Sequence, residues 1–161
     1  MVAITPAMLD AERKADGSLA GLLRAKLTME WPPEHWEPHV LNFIQKQVEE
    51  DARTAGWNRY VLLQRGFGRS NTLIGSVGGF AKPAGEVEIG YSTLPAYQRR
   101  GLATEATRAL IAMLFRDEQV QSVSAQTYPR LPESIKVMER CGMQFVGAGD
   151  DPGTVRYRRM R

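Results

Sequence analysis

The amino-acid sequence predicts a mixed α/β (α+β) sheet domain, and three features point to it. Apolar residues recur at helical spacing up to residue 57, switch to a two-residue period between residues 59 and 91, and then alternate between helix and strand patterns. In the N-terminal third, Thr5 before Pro6 forms a cap and first-turn pair ahead of Met8, Leu9 and the charged residues 10–14. Asp16 and Gly17 break that helix, and Leu19, Leu22, Leu23 and Leu27 mark a second helical segment. Three prolines and two tryptophans between residues 31 and 38 predict an irregular connection. Val40, Leu41, Ile44 and Val48 then share one face of a further helix.

Residues 59–64 and 72–80 are rich in Val, Leu, Ile, Tyr and Phe and are separated by Gly66, Gly68, Ser70 and Asn71, the pattern of a hairpin. After a turn over residues 82–85, Val87, Ile89 and Tyr91 alternate with Glu86, Glu88 and Gly90, so a third strand presents Glu88 and Gly90 on one face. From Leu102 onward Ala106, Ala109, Leu110, Met113 and Leu114 form a helical face, and residues 120–127 return to strand. Pro132 opens a last helix carrying Ile135, Met138 and Cys141, with Gly142 as its stop. The tail closes as a hairpin, residues 144–146 and 154–161 joined by Gly149-Asp150-Asp151-Pro152-Gly153.

With 161 residues and 43% apolar side chains the chain suits a single domain over residues 1–161. It divides into a helical segment (1–57), a sheet core (58–127) and a C-terminal helix with hairpin (128–161). No apolar run approaches the roughly 18 residues of a membrane span, and the N-terminus lacks a signal pattern, so no membrane partner and a cytoplasmic location are expected. Cys141 is the single cysteine, which rules out an intrachain disulfide and a cysteine-built zinc site and fits a reducing compartment. His35 and His39 are four apart but Pro38 interrupts any helix between them and no third ligand is apparent, so no metal is expected. The net charge is +3, and its excess sits in two short groups, Arg99 with Arg100 and the terminal Arg156, Arg158, Arg159 and Arg161. That division gives no continuous basic face, so no nucleic-acid partner is expected, and the terminal arginines are expected to form a solvated strand end.

The informative stretch is Gln98-Arg99-Arg100-Gly101-Leu102-Ala103-Thr104, between the strand that ends near Leu94 and the helix that begins near Leu102. Unpaired N–H groups and the positive end of the helix dipole converge at such a helix start, where a phosphate can accept several hydrogen bonds. Gly101 lets the backbone approach a ligand, Ala103 keeps the next turn small, Arg99 and Arg100 add positive charge, and Thr104 offers a hydroxyl. An ordinary capped helix behind a basic loop has the same spacing. Gly66-Phe67-Gly68-Arg69-Ser70-Asn71 lacks the third glycine of a dinucleotide fingerprint and leads into a strand, and no Gly-Lys-Ser/Thr follows a glycine-rich turn.

The order Gln-Arg-Arg-Gly-Leu-Ala, after Glu88-Ile89-Gly90-Tyr91 and before Thr104-Glu105-Ala106, resembles the acyl-coenzyme A signature Gln/Arg-x-x-Gly-x-Gly/Ala of the GNAT acetyltransferases. The run from Thr127-Tyr128-Pro129 through Ser134 to Met143 is similar to the second half of that family. The nearest subgroup contains the ribosomal-protein N-terminal and many small-molecule acetyltransferases. The resemblance implies a mostly antiparallel, twisted sheet flanked by helices, with a splayed central strand pair. It further implies transfer of an acetyl group from acetyl-CoA, as cosubstrate, to a primary amine of a small molecule or a protein N-terminus. The main chain of Ser92, Thr93 and Leu94 would bond the pantetheine arm and the thioester carbonyl, and Gln98 through Thr104 the pyrophosphate. Trp31, His35 and Trp36 would stand near the acceptor, and a homodimer stays open.

An amine must lose its proton before it attacks a thioester, and Glu88 is the candidate general base, directly or through a water, with Glu86 as its substitute; a solvated strand carboxylate is the other role open to it. Ser134 and Tyr128 are the candidate hydroxyls for the leaving thiolate, and Ser134 equally suits hydrogen bonding at a helix start. Met138 stands where many family members carry a tyrosine, and Leu131 replaces the family's asparagine. These departures leave a non-catalytic acyl-CoA-binding or sensing module as the alternative. Cys141 on the apolar side of its helix, and Trp57, are expected to be packed.

Overall fold

Thr5 Oγ1 accepts a hydrogen bond from the Met8 N–H at 3.3 Å, and Pro6 occupies the first position of α1 (Pro6–Lys14). The computed structural model describes residues 1–33, 36, 38–64, 66 and 70–161. The first helix ends where Ala15 turns left-handed, at φ 51°, and α2 (Ser18–Leu23) follows after Gly17. Leu27 falls outside α2, because the chain leaves the helix at Arg24 (φ 48°) for a short strand, β2 (Ala25–Lys26). Another two-residue strand, β1 (Val2–Ala3), precedes α1. The long N-terminal helix is α3 (Pro38–Glu50), which buries Leu41 and Ile44.

The predicted strands form as β3 (Arg59–Leu63), β4 (Asn71–Ala81), β5 (Glu86–Thr93), β6 (Ser122–Thr127), β7 (Gln144–Ala148) and β8 (Val155–Met160). Between them lie α4 (Leu102–Leu114) and α5 (Pro132–Arg140). The sheet runs β1-β3-β4-β5-β6-β8-β7, with β2 added in parallel to the start of β4. Every other pairing is antiparallel except β5 with β6. The two hairpins of the sequence reading, β3/β4 and β7/β8, both form.

One face of the sheet carries Tyr60 and Leu73 against Leu9, Leu19, Leu41 and Ile44 of α1–α3. The opposite face carries Val77, Val87, Ile89 and Val123 against Leu110, Ile111 and Leu114 of α4 and Met138 of α5. Cys141 and Trp57 lie in this second core, as their apolar setting predicts. Burial raises the pKa of the Cys141 thiol, which makes it a packing group rather than a nucleophile.

The terminal arginines depart from the sequence expectation. Arg156 pairs with Glu88 and Asp150, Arg158 with Glu86, and Arg159 donates to the Cys141 carbonyl. Arg161 donates to the carbonyls of Phe115, Asp117 and Val120. Because β8 lies between β6 and β7, its half-buried side chains also meet neighbours on both sides. Among the described residues no helix is long and apolar enough to cross a membrane.

Candidate active site

The sheet opens in its middle. β5 pairs with β6 only from Glu86 with Ser122 to Glu88 with Ser124. Yet β5 continues along β4 until Thr93 meets Gly75, and β6 continues along β8 until Thr127 meets Val155. Past Glu88 the facing edges diverge into a wedge lined by main-chain groups with no strand partner, an edge that an extended ligand carrying amide groups can join. Ser92 and Thr93 lie on this edge, and the buried Leu94 closes it through an N–H bond to the Ile74 carbonyl at 2.8 Å.

Directly after the wedge the chain makes a single 3-10 turn over Pro95–Tyr97 and reaches the start of α4. Gln98 Nε2 donates to the Thr93 carbonyl at 3.0 Å, which ties the loop to the end of β5. Arg99 (φ 59°) and Gly101 (φ 77°) are both left-handed, and Gly101 caps α4 without a side-chain hydrogen bond. A Cβ on Gly101 would meet nothing within 4 Å, so the space above these first N–H groups is open. Such a run of left- and right-handed residues turns successive N–H groups toward one concavity that suits an anion. Leu102 packs beneath the loop against Ile74 and Tyr97, while the Arg100 guanidinium stands 5.9 Å from the Tyr97 ring. A surface cavity of about 510 Å³ starts at Gly101, passes Thr104, and follows α4 to Arg108, Ala112 and Arg140. Arg108 is fixed there by donating to the Arg140 carbonyl at 2.8 Å.

On the face covered by α4 and α5, the Tyr91 hydroxyl donates to the Ser134 carbonyl at 2.9 Å and lies 3.0 Å from Ser134 Oγ. Burial lifts the Tyr91 phenol to about 12. Tyr128 lies apart from this pair, exposed at the end of β6, with the Arg130 guanidinium 4.3 Å above its ring. Met138 is buried in the core of α5.

The opposite face presents Glu88 at the apex of the wedge. Gln126 Nε2 donates to its Oε1 at 3.1 Å, and Lys82 Nζ and Arg156 Nη2 each approach Oε2 to 3.4 Å. Glu86 is engaged by the Ser124 hydroxyl and by Arg158 at 2.7 Å. The two carboxylates thus belong to an ionic strip shared by β5, β6 and β8.

Further along that face Glu12 of α1 gathers two tryptophans. Its Oε1 accepts from Trp31 Nε1 at 2.8 Å and Trp36 Nε1 at 2.7 Å, and its Oε2 accepts from the Tyr60 hydroxyl. Tyr60, Ser76 and Ser92 are consecutive cross-strand partners, so this cluster stands in line with the wedge, two strands away. His35 lies outside the described residues. Sequence reasoning missed Glu12 and Tyr91. Glu12 reads as one more charge in a surface helix, and Tyr91 as one apolar beat of an alternating strand. Among the described residues no group of three or more His, Cys, Asp or Glu is arranged to hold a metal ion.

A mixed sheet parted at its parallel strand pair, with an uncapped helix start beyond the parting, defines the architecture of the GNAT acetyltransferases. The chain belongs to that family: residues 8–144 match the family model described as acetyltransferase (GNAT) domain. It is 25% identical over 137 residues to an uncharacterized N-acetyltransferase, YjdG, of Bacillus subtilis, covering 84% of this chain and 79% of that protein. Among solved structures it resembles a GNAT-family acetyltransferase from Bacillus anthracis, with 24% identity, TM-score 0.58, and 75% and 72% of the two chains covered. It also resembles the aminoglycoside acetyltransferase AAC(6')-Ib in complex with coenzyme A, with 16% identity, TM-score 0.61, and coverage of 99% and 92%.

Proposed function

We propose that the protein transfers an acetyl group from acetyl-coenzyme A directly to a primary amine, carried by a small molecule or a protein N-terminus. The observation that carries this reading is the continuity of the wedge between β5 and β6 with the uncapped start of α4. Acetyl-coenzyme A joins a diphosphate to a thioester through an arm with two amides. The fit is good: open space above Gly101 for the diphosphate and, beyond Glu88, the edge of β5 turned away from β4 for the amides. Gln98, Arg99, Arg100, Gly101, Leu102, Ala103 and Thr104 would hold the diphosphate. The cavity along α4 would take the nucleotide end, with Arg108 and Arg140 supplying charge for its remaining phosphate.

The bound coenzyme supplies an activated acetyl group, and the chain's own residues orient and polarise. The main chain of Ser92, Thr93 and Leu94 aligns the acyl end; with the Leu94 N–H held by the Ile74 carbonyl, the N–H for the carbonyl oxygen comes from the β5 edge turned toward the wedge, where charge grows. Glu88, at the apex of the wedge, receives the proton of the incoming ammonium directly or through a water; its two approaches at 3.4 Å are long enough to exchange for that contact. Trp31 and Trp36, fixed by Glu12, wall the acceptor side.

Calorimetric titration with acetyl-coenzyme A, followed by thiol release with a panel of amines, tests the proposal. Saturable binding with acceptor-dependent release is expected; binding without release from any amine would favour an acyl-coenzyme A sensor, and no binding at high micromolar concentration would remove the reading altogether.

A further inference from the structure

The leaving group of an acyl transfer from a thioester is a thiolate, and a donor aimed at it lowers the barrier to its departure. We propose that the Tyr91 hydroxyl is the hydrogen-bond donor that meets this thiolate, held in place by Ser134. The inference rests on the assignment of the wedge as the acyl-coenzyme A site and adds a residue to it.

The argument is geometric. The last bridge between β5 and β6 is Glu88 with Ser124, and Tyr91 stands three residues further along β5, where the two strands have parted. Its side chain leaves the strand on the face covered by α4 and α5 and ends at Ser134, in the first turn of the helix that follows β6. A side chain rooted on one wall of the wedge therefore ends at the helix that continues the other, so its hydroxyl spans from β5 to α5 beside the parting proposed for the thioester. Two other hydroxyls of this region are drawn elsewhere: Ser124 donates to Glu86, and Tyr128 lies under Arg130.

Two contacts make the phenol adaptable. Its proton goes to the Ser134 carbonyl, which keeps its place in the helical hydrogen bonding of α5 when that proton swings away. Its oxygen lies 3.0 Å from the Ser134 hydroxyl, which can donate to it and strengthen it as a donor. With its titration moved to about 12, the phenol stays protonated while a thiol of pKa about 8.5 departs. Tyr91 thus shares its proton with sulfur without giving it up. As the amine nitrogen bonds to the carbonyl carbon, the C–S bond breaks and its electron pair goes to sulfur; the surplus proton on nitrogen goes to the carboxylate base or to water.

The test reads the thiol itself. Free coenzyme A bound to the protein is titrated through its thiolate ultraviolet absorbance in wild type, Tyr91→Phe and Ser134→Ala. A donor at sulfur stabilises the thiolate, so Tyr91→Phe should raise the bound thiol's pKa by about one unit, with a smaller rise in Ser134→Ala. Affinity for coenzyme A below that pKa should be unchanged, and kcat should fall about tenfold while KM for acetyl-coenzyme A holds. Equal thiol pKa values in wild type and both variants, with coenzyme bound, overturn the role of Tyr91 alone. Should Tyr91→Phe fail to fold, Ser134→Ala decides by the direction of its shift. Failure of wild type to bind coenzyme A overturns the site assignment, and this inference with it.

Discussion

Glu12 carries a cluster of Trp31, Trp36 and Tyr60 on one carboxylate, and its protonation couples to folding. Burial raises its pKa above 4.5, and the hydrogen bonds from Tyr60, Trp31 and Trp36 offset that rise only in part. The phenol of Tyr60 is pushed up in turn, by burial first and by the Glu12 charge second. A carboxyl with a raised folded-state pKa holds its proton longer in the native state than in the unfolded one. Its contribution to stability is therefore full below pH 4.5 and declines as pH climbs through the folded value. Asp150, whose pKa Arg156 and Lys82 lower, acts in the opposite sense and in a lower window, losing its contribution as pH falls below 3.8. Glu12→Gln keeps an acceptor for the two indoles and removes the titration. Melting temperatures recorded from pH 4.5 upward should decline in wild type relative to the variant, and parallel curves would show that Glu12 is not coupled to folding.

At the scale of elements, the wedge depends on how tightly β4 holds β5. Gly75 faces Thr93 across that pair, and a Cβ there would overlap the Ser92 carbonyl oxygen and come within 3.1 Å of Thr93 Cα. Gly75→Ala should therefore push the end of β5 away, at a cost of about 1–3 kcal/mol, and lower the melting temperature by several degrees, roughly 2–4 °C per kcal/mol. It should also weaken acetyl-coenzyme A binding, since Ser92 and Thr93 are the main chain proposed to hold it; normal stability together with normal affinity would mean that the strand end yields freely. The strands around Gly75 were legible in the sequence from their richness in Val, Leu, Ile, Tyr and Phe and, in β5, from alternation, as were α4 and α5 from their apolar faces and their glycine or proline boundaries. β1 and β2 were not, since two residues cannot express a period and their pairing partners are distant in sequence. The same distinction divides the site. The loop from Gln98 to α4 is local and could be read, whereas the partners of Glu88 come from Lys82, Gln126 and Arg156, and those of Tyr91 from α5, which only the folded sheet brings together.

Across the whole molecule, the wedge divides the sheet into two parts. β1 to β5 with α1–α3 lie on one side, and β6, β8, β7 and α5 on the other. Three main-chain pairs, from Glu86 with Ser122 to Glu88 with Ser124, join the parts within the sheet. The connection also includes the core under α4, the Tyr91 contact with Ser134, and the ionic strip of Glu86, Glu88, Arg156 and Arg158. Unpaired main chain in the middle of a sheet exchanges its amide hydrogens at low cost in local opening. A ligand whose amides pair with both edges would supply the missing rungs. Acetyl-coenzyme A at a hundred times its dissociation constant should stabilise the fold by about 2.7 kcal/mol, a rise of roughly 5–10 °C in melting temperature. Hydrogen exchange should locate that gain at residues 89–94 and 125–127 and at the start of α4, leaving α1 and α2 nearly unchanged. Gly101→Glu places a carboxylate on the N–H groups proposed for the diphosphate and forces a side chain into the left-handed region, so it should abolish both effects. Protection spread evenly over the chain, or retained in Gly101→Glu, would mean that the coenzyme binds without bridging the two parts.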